Sequence, residues 1–311
     1  MLVRPVPLLS LLLCAAQGAS ACALSAQPHP QAVVGLQLVF ADSAESWAWA
    51  DALQVSWLRL ELRWDWLQPF EDGDFDWSYF DRLVAQARAR PGTRILLLFN
   101  HAPAWAWAEP ARFAARSAQA IRAVVQRHRF DAYEWFNEPN LPGYGWGAVA
   151  GGAQASARRY AESLAAGAKA IRQEDAKGFV ISAGLSPSND PESYLRWIVR
   201  LTPPDCYDAV GLHPYGQQGR FAAIQANLAL LLRQEARPPK PAWFTEYGTD
   251  GDAERGALLR HLFEERHAAP ITFLFAERDL NAWTRFGLRT TGGRAKPDFA
   301  LFQALNAPAV R

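Results

Sequence analysis

Eight short apolar runs, each of six to eight residues rich in strand formers, alternate along this chain with longer amphipathic stretches. The runs cover 33–40, 57–63, 94–100, 132–138, 179–185, 209–215, 242–247 and 271–276, and helical patterns fall between them at 78–90, 110–129, 153–175, 191–200, 219–236 and 252–267. A strand that returns parallel to its neighbour needs a crossover, a helix supplies it, and eight such units close into a barrel. The predicted fold is therefore α/β, a (β/α)8 TIM barrel in a single domain over 31–307. Its 311 residues suit one barrel of about 250 residues with loops.

Local signals agree. Asp76-Trp-Ser78 can cap a helix that stops at Pro91-Gly92, and Asp190-Pro191 pairs a cap with a first-turn proline. Phe113, Ser117, Ile121, Val124, Val125 and His128 recur at helical spacing, so His128 reads as a packed or rim histidine rather than a ligand. Residues 297–306 read as a closing helix.

In such barrels the chemistry sits at the carboxyl ends of the strands. Two runs end there in glutamate: Asn137-Glu138-Pro139 and Glu246-Tyr247-Gly248. A glutamate in an apolar strand is expensive unless it has a task. Two carboxylates on separate strand ends are what retaining glycoside hydrolysis needs, one protonating the leaving oxygen and the other attacking the anomeric carbon. Around them the strand ends offer Arg59, Glu61, Arg63, Asn100, His101, His213 and Tyr215. Arg59 and Tyr215 suit the task of keeping a nucleophilic glutamate ionised, while the acid must begin protonated. Asn137 can reach a sugar 2-hydroxyl, and His213 either the acid or the sugar. Glu61 and Arg63 read as a strand-end ion pair shaping the rim, and His101 fits a rim or a sugar contact equally. Sugar rings present flat C–H faces that suit indoles. Of the 13 Trp residues, Trp105, Trp107 and Trp146 stand in loops after strands and are the candidates for subsites, and Tyr247 joins the candidate binding residues.

A net charge of +1 without a Lys/Arg stripe argues against nucleic acid as a partner. The six histidines show no paired ligand spacing, His261 and His267 fall on different helix faces, and no Gly-rich phosphate loop occurs; no metal and no cofactor is expected. Residues 1–26 combine Arg4, the apolar run 8–13 and small residues 18–21, the pattern of a secretory signal too short to span a membrane. The expected location is periplasmic or secreted. Cys22 after Ala19-Ser-Ala21 loosely matches a bacterial lipoprotein site, the one route to a membrane; with only Cys206 beyond it, no disulfide framework is expected.

The motifs Trp57-Leu-Arg-Leu-Glu-Leu-Arg-Trp64, Gln68-Pro69, Phe75-Asp-Trp77, His101-Ala-Pro-Ala-Trp105, Asn137-Glu138-Pro139, His213-Pro-Tyr215 and Thr245-Glu-Tyr-Gly248, in this order, resemble the clan A glycoside hydrolases. Within the clan the chain is most similar to glycoside hydrolase family 39 and its relatives associated with bacterial exopolysaccharides, over about 33–306. The resemblance implies a barrel that hydrolyses β-linked oligo- or polysaccharides with retention, with Glu138 as acid/base and Glu246 as nucleophile, and Arg59, Asn137, His213 and Tyr215 in the minus-one subsite. It favours endo action on a polysaccharide. One departure stands out: many clan members end strand eight in a Trp sugar platform, and the segment Phe273-Leu-Phe-Ala-Glu-Arg-Asp279 has none. Either Trp283 supplies that face or the subsite is open. Two other functions share these residues: a non-catalytic carbohydrate-binding barrel, and a transglycosidase in exopolysaccharide processing, which differs only in the acceptor.

Overall fold

The computed structural model describes Cys22 and residues 32–307; apart from Cys22, the expected leader lies outside the described residues. Eight strands, β1 (Val33–Leu38), β2 (Trp57–Arg63), β3 (Arg94–Asn100), β4 (Ala132–Asn137), β5 (Val180–Gly184), β6 (Val210–Leu212), β7 (Ala242–Tyr247) and β8 (Ile271–Leu274), pair in parallel in the order β5-β4-β3-β2-β1-β8-β7-β6. Bridges Ile181–Ala209 and Leu185–Leu212 join β5 to β6. The ring is thereby closed, as the eightfold alternation predicts.

Helices cover the outside of the ring and packed side chains fill its inside, so the strands read as apolar runs; β3 is buried from Ile95 to Asn100. The six long predicted helices form within a few residues of their expected ends. Asp76 Oδ1 accepts from Ser78 N at 2.9 Å and Asp190 Oδ1 from Ser193 N at 3.2 Å, so both predicted caps are made. His128 Nε2 donates to Asp81 Oδ1 (2.8 Å) beside Phe80, a packed histidine. A further helix, Ala44–Leu53, follows β1. Among the described residues no helix is long and apolar enough to cross a membrane.

Inside the barrel, side chains stack in layers. The lowest is an apolar plug that includes Trp57, Phe179 and Trp243, with Trp57 edge-on to Trp243 at 5.6 Å and Phe179 stacked on it at 5.1 Å. The layer above is polar: Gln37, Arg59 and Glu134, all buried. Strand ends then carry the uppermost layer to the carboxyl face. The plug keeps water from the ionic layer from below, which strengthens every charge interaction in it.

At the opposite end of the barrel Cys22 is disulfide-bonded to Cys206, with Cα atoms 4.9 Å apart, and the Cys22 N–H donates to Asp205 Oδ2 at 2.9 Å. This corrects the expectation that the chain does not rely on a disulfide. Pairing across 184 residues leaves no trace in local sequence pattern.

Candidate active site

Two local irregularities make the site. In β4, strict alternation from inward Glu134 would point Phe136 inward and Asn137 outward. Phe136 instead takes φ 61°, a left-handed conformation that turns it into the outer aromatic core against Phe99 and Phe113. Asn137 then swings inward. Glu138 follows with φ 42°, just past the strand end, where a non-glycine residue bears strain of order 1–3 kcal/mol. In β7 the pairing with β8 shifts register between Phe244 and Tyr247, and both Thr245 and Glu246 face the barrel. Asn140 pins the turn after Glu138, donating to the Ser186 and Ser188 carbonyls at 3.0 and 2.7 Å and accepting from Ser186 N at 3.1 Å.

Arg59 is the hub. Its Nε pairs with Glu134 Oε2 (2.6 Å), Nη1 with Glu246 Oε1 (2.5 Å) and with Gln37 Oε1, and Nη2 with Asn137 Oδ1 (2.8 Å). On the far side of Glu246, the Tyr215 hydroxyl donates to Oε2 at 2.8 Å. His213 bridges the two strand-end glutamates: Nδ1 lies 2.9 Å from Glu138 Oε1 and 3.6 Å from Glu246 Oε2, while Nε2 meets Thr245 Oγ1 at 3.1 Å. The ring lies flat over β5 because position 184 is glycine; a Cβ there would run into His213 Nε2 and Thr245 Oγ1.

The electrostatics follow from this geometry. Burial alone would push the Glu246 carboxyl up, yet His213, Arg59 and the Tyr215 hydrogen bond outweigh it and hold the carboxyl below its usual range. Burial works against a charged His213, but the charges of Glu246 and Glu138 raise it above an ordinary imidazole. Tyr215 is driven well up, first by burial and then by Glu246, and stays a donor. The Glu138, His213 and Glu246 donor atoms lie within 4.8 Å of one another, a spacing that could hold a metal ion. Those atoms already bond to one another, to Thr245, Tyr215 and Arg59, so a cation here would displace them and face the guanidinium.

The structure therefore brings together Glu138, Glu246, Arg59, Asn137, His213 and Tyr215 in one cleft. His101, with φ 53°, stands on its wall, 3.2 Å from Glu61 Oε1 and edge-on to Tyr144. Two proposed binding residues are elsewhere. Trp146 is 1% exposed and packed among Trp107, Phe113, Phe136 and Tyr160. The register shift in β7 turns Tyr247 outward onto Phe221 of the helix Phe221–Gln234. Trp105 and Trp107 are likewise structural, Trp105 against Trp64 and Trp107 stacked on Phe113. Arg63 pairs with Asp65 rather than Glu61, because the chain turns into the short helix Trp64–Leu67 immediately after it.

Several members escaped the sequence reading. Glu134, two residues before Phe136 in an apolar strand, carried the same signal as Glu138. Gln37 and Thr245 carried none, whereas Tyr144 stands in the aromatic loop 141–147 after β4, where the sequence leads one to expect a binding surface. At the end of β8, Phe275 lies edge-on to Phe286 (5.5 Å), and Phe286 edge-on to Tyr215 (5.7 Å), so Phe286 borders Tyr215 with Phe275 behind it. Trp283 is 89% exposed.

No protein-family model matches the chain, and no curated protein sequence matches it. Its fold does match solved structures. A family 39 glycoside hydrolase from the gut symbiont Bacteroides cellulosilyticus WH2 aligns with 89% of this chain and 64% of its own, at 16% identity and TM-score 0.70. A glucosidase from Croceicoccus marinus aligns with 89% and 68%, at 15% identity and TM-score 0.67. XacCel5A, solved in complex with cellopentaose, aligns with 88% and 99%, at 16% identity and TM-score 0.63. The chain thus spans under two thirds of the family 39 structure. At these identities what is shared is the (β/α)8 fold.

Proposed function

We propose that this protein is a retaining glycoside hydrolase that cleaves β-linked glycans, endo-acting on a polysaccharide. The observation that carries the reading is the carboxylate pair: Glu138 and Glu246 oxygens lie within 4.8 Å of each other, close to the ~5–5.5 Å carboxyl separation of retaining enzymes and short of the ~6.5–9.5 Å that leaves room for a water. Glu246, held ionised, attacks the anomeric carbon while Glu138 protonates the departing glycosidic oxygen. Glu138, now a carboxylate, takes a proton from water as that water attacks the anomeric carbon, the bond from that carbon to the Glu246 carboxylate oxygen breaks, and the product leaves with the configuration of the substrate. Asn137 accepts from Arg59 at its Oδ1 and hydrogen-bonds the Tyr144 hydroxyl, which turns its amide nitrogen into the cleft toward a sugar 2-hydroxyl. Neighbouring folds are those of glycosidases and a cellulase-type enzyme seen with cellopentaose, which is consistent with this chemistry. The test is a panel of β-linked polysaccharides, bacterial exopolysaccharides included, scored for reducing ends and for the anomer first formed by proton NMR. A β anomer is the expected first product; an α anomer first, or glycan binding without release, would sink the proposal. Added sugar acceptors distinguish transfer from hydrolysis in the same assay.

Export is part of the proposal. The apolar run 8–13 supports a leader, and a cystine supports an oxidising compartment. The disulfide needs Cys22 in the mature chain, so cleavage falls before it and not at the expected boundary of 26, and its sulfur cannot also carry a thioether lipid. Mature protein recovered from the cell envelope should show no free thiol under denaturing alkylation, and Cys206→Ser should lower stability by roughly 2–5 kcal/mol in chemical denaturation. A lipid-sized mass increment on the N-terminal peptide would refute this assignment.

A further inference from the structure

On β2 the inward positions are Arg59, Glu61 and Arg63, two residues apart. Arg59 holds the Glu246 carboxylate, so Glu61 lies one layer, roughly 6–7 Å, nearer the mouth of the cleft. One of its oxygens is occupied: Oε1 accepts from Asn100 Nδ2 at 2.8 Å and faces His101 Nε2 at 3.2 Å. No hydrogen bond among the described residues engages Oε2, and the side chain is 32% exposed. Across the cleft Tyr144, on the loop after β4, packs edge-on to His101 at 5.0 Å. Burial, then Glu246, Glu61 and Glu138, pushes the Tyr144 hydroxyl up to about 12, against a hydrogen bond from Asn137. Glu61 therefore looks into the same space as the two catalytic glutamates.

The neighbouring arginines are already committed, and His101 Nε2 faces the same Oε1 that Asn100 holds. Arg59 serves Glu134 and Glu246, and Arg63 is forked on Asp65. Glu61 itself is held ionised, since the His101 and Asn100 hydrogen bonds and the Arg59 charge outweigh burial. An ionised carboxylate with one oxygen fixed and the other open accepts hydrogen bonds from a ligand and repels a ligand carboxylate.

We infer that Glu61 is a specificity-determining residue: its open oxygen accepts from a donor-bearing sugar beside the scissile bond, and its charge turns away a uronic acid at that position. The inference rests on the glycosidase reading and narrows its substrates to neutral or amino sugars there. The donor is a hydroxyl or an ammonium, and the two are separable by experiment.

The experiment compares kcat/KM for matched aryl β-glucoside, β-glucosaminide and β-glucuronide with the wild type, Glu61→Gln and Glu61→Asp. The wild type should prefer glucoside over glucuronide by roughly 100-fold or more, as a like-charge clash of a few kcal/mol implies. Glu61→Gln keeps the shape and should lose about tenfold on the glucoside, as expected for a charged partner, while gaining on the glucuronide, so that the ratio collapses. Glu61→Asp keeps the charge and should lose glucoside turnover through reach while still rejecting the glucuronide. A loss on the glucosaminide at least tenfold larger than on the glucoside assigns the donor as ammonium; equal losses assign it as hydroxyl. A glucoside-to-glucuronide ratio unchanged within twofold in both folded variants overturns the role of Glu61 alone. A wild type that turns over none of the three and releases no reducing ends from the polysaccharide panel overturns the glycosidase reading, and this role with it; one that acts on polysaccharide alone is compared in the same way on matched neutral, amino and uronic β-linked oligosaccharides, where an unchanged ratio again overturns the role of Glu61.

Discussion

Glu246→Gln should lower kcat/KM on any β-glycoside by about 10⁵-fold or more, the scale seen when a covalent nucleophile is removed. The amide is isosteric, so the Arg59 and Tyr215 contacts have somewhere to go and the protein should fold. What disappears is the carboxylate that His213, Arg59 and Tyr215 together hold ionised against burial. Glu138→Ala should behave differently. General acid–base assistance is worth roughly 10²–10⁴, so an alkyl glycoside or polysaccharide loses that much, whereas an activated nitrophenyl glycoside, whose leaving group needs no proton, still forms the glycosyl-enzyme. Breakdown of that ester then limits the rate, and azide, needing no base, should restore turnover and give a β-glycosyl azide. Steady-state rates on the two leaving groups, with and without azide, check this. Should azide rescue Glu246→Gln with net retention instead, the two glutamates have each other's roles.

The fold was legible because it is written in repetition. A buried parallel strand must be apolar on both faces and a crossover helix on one, and both patterns survive in a single sequence. The site was legible where a polar residue interrupts such a run, as at Arg59, Glu138, His213 and Glu246. What failed was the sense of each side chain, inward or outward, wherever the strand departs from alternation. The φ of 61° at Phe136 and the register shift in β7 each reverse it, which is why Tyr247 looked like a cleft residue and lies under a helix. Trp146 failed for another reason: a Trp in a loop after a strand either caps the cleft or fills the shell between strand ends and helices, and composition does not distinguish the two. Glu134 lay in plain view, passed over because its partner Arg59 had already been given to Glu246.

That sharing makes Arg59 the residue whose loss should reach furthest. In Arg59→Met the Glu134 and Glu246 carboxylates remain buried without their guanidinium, and removing one partner of a buried ion pair typically costs about 3–5 kcal/mol. For a chain of this size that lowers Tm by roughly 6–20 °C. The pH dependence gives the cause. In the wild type the folded Glu246 carboxyl lies below its unfolded value, so it adds stability above the unfolded pKa, and that contribution fades as pH falls through the folded one. Without Arg59, burial is opposed only by His213 and Tyr215, and the folded carboxyl moves upward. The stability gap between wild type and variant should therefore be widest near neutral pH and narrow on acidification. Activity should show the same movement, because only ionised Glu246 attacks: the acid limb of kcat/KM shifts to higher pH in the variant. Arg59→Lys restores the charge without the fork that reaches Glu134, Glu246 and Asn137 together, and should recover part of the acid-limb position and little of the stability. A stability gap that stays constant from pH ~7 to ~4, measured by denaturant unfolding, would mean that Arg59 does not hold Glu246 ionised.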